Sequence, residues 1–402
     1  MITTLAHTIK LYPNSTQGTF FKKACGCARV AYNYGLEQYQ KQIKEGLKPN
    51  ILEIKKQFNK EKKTLFPWVS ETNKDANQQP FTNLQTAFNK FIKHQARYPR
   101  FKKKGVKDSF YISNDKFRVG ENKFWVPKLG WVKGAESLRF SGKINSATIK
   151  RKANYWFIVI SVITEIEPKT CENQAVVGVD LGIKALATLS DGNIIESSNP
   201  LKYKLDRLKL LQRWASRKVK GSSNRMKQVM RIAKLHYEIS CIRKDSIDKV
   251  TNYLCKNYKT IVIEDLNVSG MLKNHHLALS ISDLGFGEFR RQLKYKSLLY
   301  GNTLIIADRF FPSSKTCSSC GVVKETLLLS ERVYVCESCG VVIDRDHNAA
   351  INLKNYGLEK LRMVSPEVTP VDKKALTYMS SIDVSETILE EAGISECTLL
   401  ST

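Results

Sequence analysis

Hydrophobic and polar positions in the first half of the chain predict strands at its two ends and helices between them. Residues 3–12 alternate partly between apolar and polar side chains, which is typical of a strand. Residues 16–46, 51–64 and 82–96 place apolar side chains at helical spacing. Over residues 108–165, short aromatic and β-branched runs are broken by Gly, Pro and Asn, and this pattern predicts antiparallel strands.

The simplest assembly of these segments is one β-barrel that carries a helical insertion. We expect the barrel to consist of residues 1–14 and 97–170, and the insertion to span residues 15–96. Where the barrel resumes, aromatic and basic residues are interleaved, a composition suited to phosphate contacts and base stacking. A solvated turn is the alternative. The nucleic-acid contacts predicted in this run are Arg97, Arg100, Lys102, Lys103 and Lys104.

The second half of the chain shows buried strands that alternate with helices. Apolar runs at residues 175–180, 259–266 and 303–311 predict strands. Residues 286–300 and 347–356 predict helices. Strands that alternate with helices in this way indicate an α/β domain that begins near residue 175.

A long helical segment at residues 201–256 separates the first two of these strand regions. A turn at residues 220–224 divides it, so a hairpin of two helices is expected. The first 34 residues of this segment contain twelve Lys or Arg and a single acid, Asp206. Such a basic hairpin favours contacts with phosphates. The residues predicted to make these contacts are Arg217, Lys218, Lys220, Arg225 and Arg243. For Arg243, helix packing is the alternative.

Composition indicates a nucleic-acid-binding protein of two or three domains. The chain has 402 residues and a formal net charge of +27, and chains longer than about 300 residues rarely form a single core. A polyanion would relieve the self-repulsion of this charge and would contribute counterion release to binding. No apolar run reaches the roughly 18 residues of a spanning helix, so a membrane role is not expected. The scattered remaining cysteines suit a reducing cytoplasm.

Two CxxC pairs predict a metal site near the C-terminus. Cys317 and Cys320 form the first pair, and Cys336 and Cys339 form the second. Four thiolates at this spacing suit one tetrahedral Zn²⁺, and a shell closed by four sulfurs leaves no open position for substrate, so the zinc is expected to be structural. Two disulfides are the alternative, but they require an oxidising compartment.

Three acidic residues are candidates for catalysis. Asp180 and Glu264 each end an apolar strand, and Asp346 precedes the last predicted helix. Carboxylates at a sheet edge are poorly solvated unless a cation occupies the site, so the three suggest a pair of Mg²⁺ or Mn²⁺ ions for phosphodiester hydrolysis. Each acid alone could instead be a helix cap or a salt-bridge partner, and Asp346 in particular could cap the helix that follows it.

Four segments resemble, in order, the successive motifs of TnpB, an insertion-sequence-encoded family related to type V CRISPR effectors. They are GVDLGIKALATLSDG, IVIEDLNVSGM, PSSKTCSSCG and CGVVIDRDHNAAINL. The resemblance implies that Asp180, Glu264 and Asp346 bind the catalytic metal ions, and it favours Asp346 over Asp344 because Asp346 stands in the Asp-x-Asn-Ala-Ala motif. One departure is Phe286, which stands where the family has Trp and is expected to fill the same aromatic position.

The same resemblance implies a domain layout. Residues 175–316 and 340–357 would form an RNase H-like (RuvC) nuclease domain, with the zinc ribbon at 317–339 inserted in it. The N-terminal barrel would resemble an oligonucleotide-binding fold, and its helical insertion would be a recognition lobe. Residues 358–402 would be an acidic, disordered tail.

The function implied is that of a transposon-encoded, RNA-guided DNA endonuclease in the prokaryotic cytoplasm, associated with the nucleoid. Its partners would be a guide RNA from the transposon end and double-stranded target DNA beside a short flanking motif. Its cofactors would be one structural Zn²⁺ and two catalytic Mg²⁺ or Mn²⁺ ions. Three alternatives remain. A nuclease-inactive RNA-guided repressor would have lost at least one of the acids, and a DDE-like transposase would lack the zinc ribbon. The third alternative is a plain zinc-ribbon binding module.

Overall fold

The computed structural model describes residues 2–167, 173–328 and 330–364, and these form two compact units. The N-terminal unit is Ile2–Glu165 and the C-terminal unit begins at Ile166. Most of the predicted acidic tail, residues 365–402, lies outside the described residues. Among the helices described, none combines the length and the apolar character needed to cross a membrane.

The N-terminal unit contains two antiparallel sheets. One has the order β1-β7-β6-β2 and the other the order β3-β4-β5, and an isolated bridge joins Leu11 to Gly134. β1 pairs along its whole length with β7, from Ile2 opposite Glu165 to Leu11 opposite Trp156, so the first strand joins the later ones across the helical insertion. The strands are β1 (Ile2–Leu11), β2 (Ser109–Ser113), β3 (Arg118–Val119), β4 (Lys123–Val126), β5 (Gly130–Lys133), β6 (Lys143–Lys152) and β7 (Tyr155–Glu165).

Three helices lie between β1 and β2, as the sequence predicts: α1 (Ser15–Lys44), α2 (Ile51–Leu65) and α3 (Lys74–Ile92). Asn14 begins α1 with a reciprocal capping box to Gln17. The predicted start of α3 at residue 82 is wrong, because the helix begins at Lys74 and continues through Pro80, which is buried inside it. The predicted end at residue 96 is also late, since the backbone turns left-handed at His94.

The C-terminal unit is built on a five-stranded sheet with the order β10-β9-β8-β11-β12. β9 is antiparallel to both of its neighbours, β10 and β8, whereas β8, β11 and β12 run parallel to one another. Its strands are β8 (Val176–Asp180), β9 (Ala187–Leu189), β10 (Ile194–Ile195), β11 (Thr260–Glu264) and β12 (Thr303–Ala307). The strand predicted at 303–311 therefore ends four residues early. A two-stranded ribbon follows, with β13 (Val333–Val335) and β14 (Val342–Asp344).

The described residues of this unit contain six helices: α4 (Pro200–Ser216), α5 (Ser223–Asn257), α6 (Val268–Met271), α7 (Ala278–Leu284), α8 (Phe286–Tyr300) and α9 (Arg345–Val364). α4 and α5 form the predicted hairpin and share a separate apolar cluster around Leu211 and Leu235. Phe286 is buried in the main core of the unit, as expected for an aromatic position.

The last helix extends beyond its predicted end. The helix was predicted to span residues 347–356 and a disordered tail to begin at residue 358, but α9 continues to Val364. A Cβ atom at position 357 would lie 2.4 Å from a methyl carbon of Val262 in β11. Gly357 is therefore a close-approach residue inside the helix, and it lets α9 pack directly on the sheet.

Candidate functional site

Two of the predicted catalytic acids lie at the same edge of the central sheet. Asp180 is the last residue of β8 and Glu264 the last of β11. The two strands are parallel neighbours whose register pairs Ile263 with Val179, one residue before the acids. Asp346 lies in the first turn of α9, which packs along β8. Three segments remote in sequence thus bring these carboxylates to one end of the sheet.

Electrostatics show that the three acids are neighbours. Asp180 is only 9% exposed, and burial raises its pKa well above the usual value. The negative charges of Glu264, Asp346 and Asp344 raise the pKa further, in this order of size, and the Arg345 guanidinium opposes them. A site of this kind is stable with all acids ionised only if cations balance their charge.

Asp344 and Asp346 have different roles at the start of α9. One oxygen of Asp344 accepts hydrogen bonds from the backbone amides of Asp346 (3.0 Å) and His347 (3.1 Å). Asp344 is therefore the N-terminal cap of the helix, the role that the sequence had left open for Asp346. Of the two, Asp346 also has the larger effect on Asp180.

Glu264 is held by a residue that sequence reasoning missed. The hydroxyl of Ser313, which is 4% exposed, donates a hydrogen bond to a Glu264 carboxylate oxygen. The carbonyl of Ser313 accepts from the Asn352 side chain at 2.8 Å, so α9 fixes the position of this serine. The only signal in the sequence was that Ser313 stands in the segment PSSKTCSSCG.

A cavity of about 150 Å³ opens beside Glu264. Asp265 and Arg309 lie on its wall, joined by an ion pair of 2.7 Å, and Arg290 also pairs with Asp265. The cavity is also lined by Leu266, Asn267, Ala307, Asp308 and Phe311. This cavity gives a small polar group access to one of the three acids.

The four predicted zinc ligands form a compact cluster. All their sulfur atoms lie within 4.8 Å of one another, and over residues 2–167, 173–328 and 330–364 no other His, Cys, Asp or Glu group is as compact. The carboxylate oxygens of Asp180, Glu264 and Asp346 are more widely spaced than these sulfur atoms. The Sγ–Sγ distances Cys317–Cys339 and Cys320–Cys336 are both 3.6 Å. Hydrogen bonds from the Cys339 backbone lower the pKa of Cys336 to about 6, which favours the thiolate that a metal requires.

Two asparagines of α9 join the ribbon to the helix that carries Asp346. Asn348 is fully buried; its side-chain oxygen accepts from the Ser318 amide (2.9 Å) and its side-chain nitrogen donates to the Thr316 carbonyl (2.7 Å). Asn352 donates to the same carbonyl at 2.7 Å. Both belong to the predicted helix, but nothing in the sequence indicated what they contact.

The basic residues proposed near position 100 lie in an exposed segment without helix or strand. Tyr98 packs its ring against Phe88 and Phe91, so it stabilises this segment. The Lys102 ammonium lies 4.1 Å from the Tyr32 ring centre, whereas Phe101 is 48% exposed. The remaining exposed basic residues are Arg97, Arg100, Lys103 and Lys104.

The basic residues of the α4–α5 hairpin divide into two groups. Arg217 and Lys220 are exposed around the turn, and Lys218 is half-buried. Arg225 instead donates to the carbonyls of Ala215 (3.3 Å) and Lys218 (3.1 Å) at the end of α4.

Arg243 also makes its contacts within the protein. Its guanidinium forms an ion pair of 2.9 Å with the Asp283 carboxylate and donates a hydrogen bond of 2.7 Å to the backbone carbonyl of Asp283. The buried Asp283 carboxylate additionally accepts from the Leu201 and Lys202 amides at the start of α4. Arg243 therefore anchors the helices of this unit through its own protein contacts.

Three family models match parts of the chain. One described as "Probable transposase" matches residues 159–275, and one described as "Cas12f1-like, TNB domain" matches residues 286–353. Together they include the three acids and the four cysteines. A third, "Helix-turn-helix domain", matches residues 1–48, where the structure has a strand and a single helix up to Lys44.

Curated relatives match most of the chain. A Streptomyces pristinaespiralis protein named "Putative RNA-guided DNA endonuclease" is 35% identical over 362 residues, 88% of this chain and 89% of that protein. "Putative RNA-guided DNA endonuclease InsQ" from Escherichia coli (strain K12) is 32% identical over 370 residues, 88% of this chain and 92% of that protein.

Solved structures also match. A chain from the cryo-EM structure of a Cas12f1–sgRNA–target DNA complex aligns with a TM-score of 0.56 at 15% identity. The alignment covers 85% of this chain and 83% of that chain. At this level of identity, the similarity shows a common fold.

Proposed function

The chain belongs to the OrfB (TnpB) family, which includes these curated relatives, and from this membership we propose that it is an RNA-guided DNA endonuclease encoded by a transposon. A guide RNA would pair with one strand of the target, and the protein would recognise a short flanking motif. Cleavage would take place at Asp180, Glu264 and Asp346. The observation that carries this proposal is the buried Asp180, whose pKa is raised by burial and by the other two acids.

The sheet supports assignment of an RNase H-like (RuvC) nuclease domain to the C-terminal unit. Three antiparallel strands, β10, β9 and β8, are followed by the parallel strands β11 and β12. Acids at the carboxyl ends of parallel strands are at the edge where ligands bind in α/β folds. Asp180 and Glu264 are both in this position.

The donor set at the sheet edge fits hard divalent cations. All three acids provide oxygen ligands, which Mg²⁺ and Mn²⁺ prefer, and the crowding of negative charge around a buried Asp180 would be relieved by bound cations. Asp180, Glu264 and Asp346 would hold the ions. Two such ions would activate a water molecule for attack on the phosphodiester and stabilise the leaving oxygen.

The other residues of the site position these ligands. Ser313 donates to one Glu264 oxygen and so restricts the orientation of that carboxylate. Asp344 caps α9 and fixes the turn from which Asp346 projects. Asn348 and Asn352 hold the start of the ribbon against the same helix. The chain thereby supports Glu264 and Asp346 from a second layer of hydrogen bonds.

The cysteine cluster would hold one structural Zn²⁺. A tetrahedral site with Zn–S bonds of about 2.3 Å has sulfur atoms about 3.8 Å apart, and the two Sγ–Sγ distances of 3.6 Å fit this geometry. Four sulfur ligands would fill the coordination shell, so no substrate could bind the metal. The zinc would stabilise the ribbon, which Asn348 connects to α9.

Guide RNA and target DNA would be held mainly through their phosphates. The formal charge of +27 provides the attraction, and a guide–target heteroduplex is recognised by shape and backbone more than by sequence. Exposed basic residues near positions 100 and 217 are the proposed contacts. A nuclease-inactive, RNA-guided repressor is the alternative, but the chain keeps all three acids.

Purification with and without ribonuclease treatment tests the guide hypothesis. We expect the untreated protein to copurify with RNA and to cleave DNA in Mg²⁺ only when the target matches that RNA and carries one of a limited set of flanking motifs. The Asp180→Ala variant should retain RNA and target binding without cleavage. Purification as a stable, RNA-free protein would contradict the proposal.

A further inference from the structure

Phe310 is the most exposed large hydrophobic residue in the described part of the chain. It is 91% exposed, compared with 80% for Tyr203 and 78% for Val219. Single exposed apolar residues are common and need no explanation by themselves. Phe310 is unusual because the residues on both sides of it are fixed.

The segment that carries Phe310 is tied to the protein core at several points. The Tyr356 hydroxyl donates to Asp308 at 2.9 Å, and the Tyr356 ring packs on Phe311 with ring centres 4.8 Å apart. The Phe311 amide donates to the Asp308 carbonyl at 2.9 Å and closes a turn. This turn presents Phe310 to solvent from a fixed base.

The location of this turn is the second observation. Arg309 and Phe311, the neighbours of Phe310, line the same cavity as Glu264. Arg309 is paired with Asp265, the residue that follows Glu264, at 2.7 Å. Phe310 itself does not line the cavity, but it stands between two residues that do, so residues 309–311 form one part of the rim of this cavity beside a proposed catalytic carboxylate.

We infer that Phe310 is a stacking platform for an unpaired base of the DNA strand that enters the nuclease site, a positioning role that rests on the proposed function. A strand whose phosphate approaches Glu264 must place its bases beside the rim. Every base has an apolar face that stacks on an aromatic ring regardless of sequence. The turn holds the backbone on both sides of Phe310, so stacking has to order only the side-chain torsions of its ring.

The chemistry at the rim favours nucleic acid over a protein partner. Aromatic side chains combined with a positively charged surface are the features of single-strand binding grooves, and this chain has a formal charge of +27. A second copy of such a polycation would be repelled. Charge thus disfavours self-association through Phe310, and the experiment must be able to detect it as the competing outcome.

The test uses the protein bound to its guide RNA and compares Phe310→Ala, Phe310→Leu and Phe310→Trp in single-turnover cleavage. We expect Phe310→Ala to slow cleavage about 5- to 150-fold, the range that one base–aromatic stack contributes. Phe310→Trp should cleave at close to the wild-type rate, and Phe310→Leu, which keeps apolar bulk without a ring, should be nearly as slow as Phe310→Ala. Ile194→Ala, at a residue 65% exposed on β10, controls for the loss of any exposed apolar side chain.

A second measurement does not depend on cleavage. In the Asp180→Ala background, 5-iodouracil is placed in turn at each position near the cut, and irradiation should crosslink one of these positions to the peptide that contains Phe310. No crosslink at any position, or an unchanged rate and cut position in Phe310→Ala, would overturn the inference and leave the proposed function standing. A change confined to the sedimentation of Phe310→Ala would also overturn it, in favour of self-association.

Discussion

Gly178 of β8 lies directly against the backbone of Ala350 in α9. A Cβ atom at position 178 would come within 1.9 Å of the Ala350 carbonyl oxygen and 2.5 Å of the Lys354 amide nitrogen. Asp180 follows Gly178 by two residues, and Asp346 precedes Ala350 by about one helical turn. This close approach of helix and strand therefore sets how near the two acids can come.

Replacement of Gly178 by Ala should separate the strand from the helix. A methyl group 1.9 Å from a backbone oxygen cannot be accommodated without movement of α9, and overpacking of this kind costs about 1–3 kcal/mol. We expect a lower midpoint of thermal unfolding and a large loss of cleavage. Gly287→Ala is the matched control, because no atom lies within 4 Å of a Cβ at position 287, and there alanine should keep stability or improve it.

Asp344 and Asp346 should respond differently to substitution. Asp344 caps α9, so Asp344→Ser should keep most stability and cleavage, whereas Asp344→Ala should lose about 1 kcal/mol of unfolding free energy. Asp346→Ser should abolish cleavage with little change in stability. Denaturant titration and single-turnover cleavage measure the two effects. Equal loss of cleavage in Asp344→Ser and Asp346→Ser would show that Asp344 has a ligand role.

Asn348→Ala should weaken the connection between the ribbon and α9. It would leave the Ser318 amide without its partner, at a cost of about 1–3 kcal/mol, whereas the Thr316 carbonyl would lose one of two bonds and keep the one from Asn352. Asn355→Ala, on an exposed position of the same helix, is the control. We expect chemical denaturation to show a clear loss for Asn348→Ala alone. Equal stability of the two variants would contradict the connecting role.

Cys336→Ser should cause loss of bound zinc and destabilise the ribbon, because a structural zinc site contributes directly to folding. Elemental analysis should give one zinc per wild-type chain and much less for the variant. Cys241→Ser is the control, since Cys241 is exposed and lies outside the cluster. Wild-type protein with far less than one zinc per chain would rule out the assignment.

Local patterns in the sequence predicted the positions of several strands and helices and of the metal cluster. The apolar runs of β8 and β11 and the apolar spacing of α8 were sufficient to place them, and the CxxC spacing identified the metal cluster. The boundaries of α3 and α9 failed for a common reason. Proline and glycine usually end helices, but here Pro80 is accommodated and buried inside α3, and Gly357 permits close packing of α9 on the sheet. Tertiary contact outweighed the local preference at both positions.

The residues that support the catalytic acids and the helices around them could not be predicted, because their roles depend on contacts between segments that are distant in sequence. Nothing near Ser313 indicates Glu264, and nothing near Arg243 indicates Asp283. Arg225 was proposed as a nucleic-acid contact from charge, and Arg243 as either a backbone contact or a helix-packing residue, and both make contacts within the protein. Charge patterns identify a basic segment, but they do not distinguish solvated cations from those that hold helices together.

Cleavage of a matched target by Asp180→Asn in complex with guide RNA tests the proposed catalytic centre most directly. Asparagine keeps the size of the side chain but removes the charge that would bind a divalent cation. In single-turnover assays with Mg²⁺, the wild-type complex should cleave, and Asp180→Asn should be slower by at least about a thousandfold with the same affinity for target DNA. Cleavage by Asp180→Asn at close to the wild-type rate, or wild-type cleavage unaffected by EDTA, would contradict metal-dependent hydrolysis at these three acids.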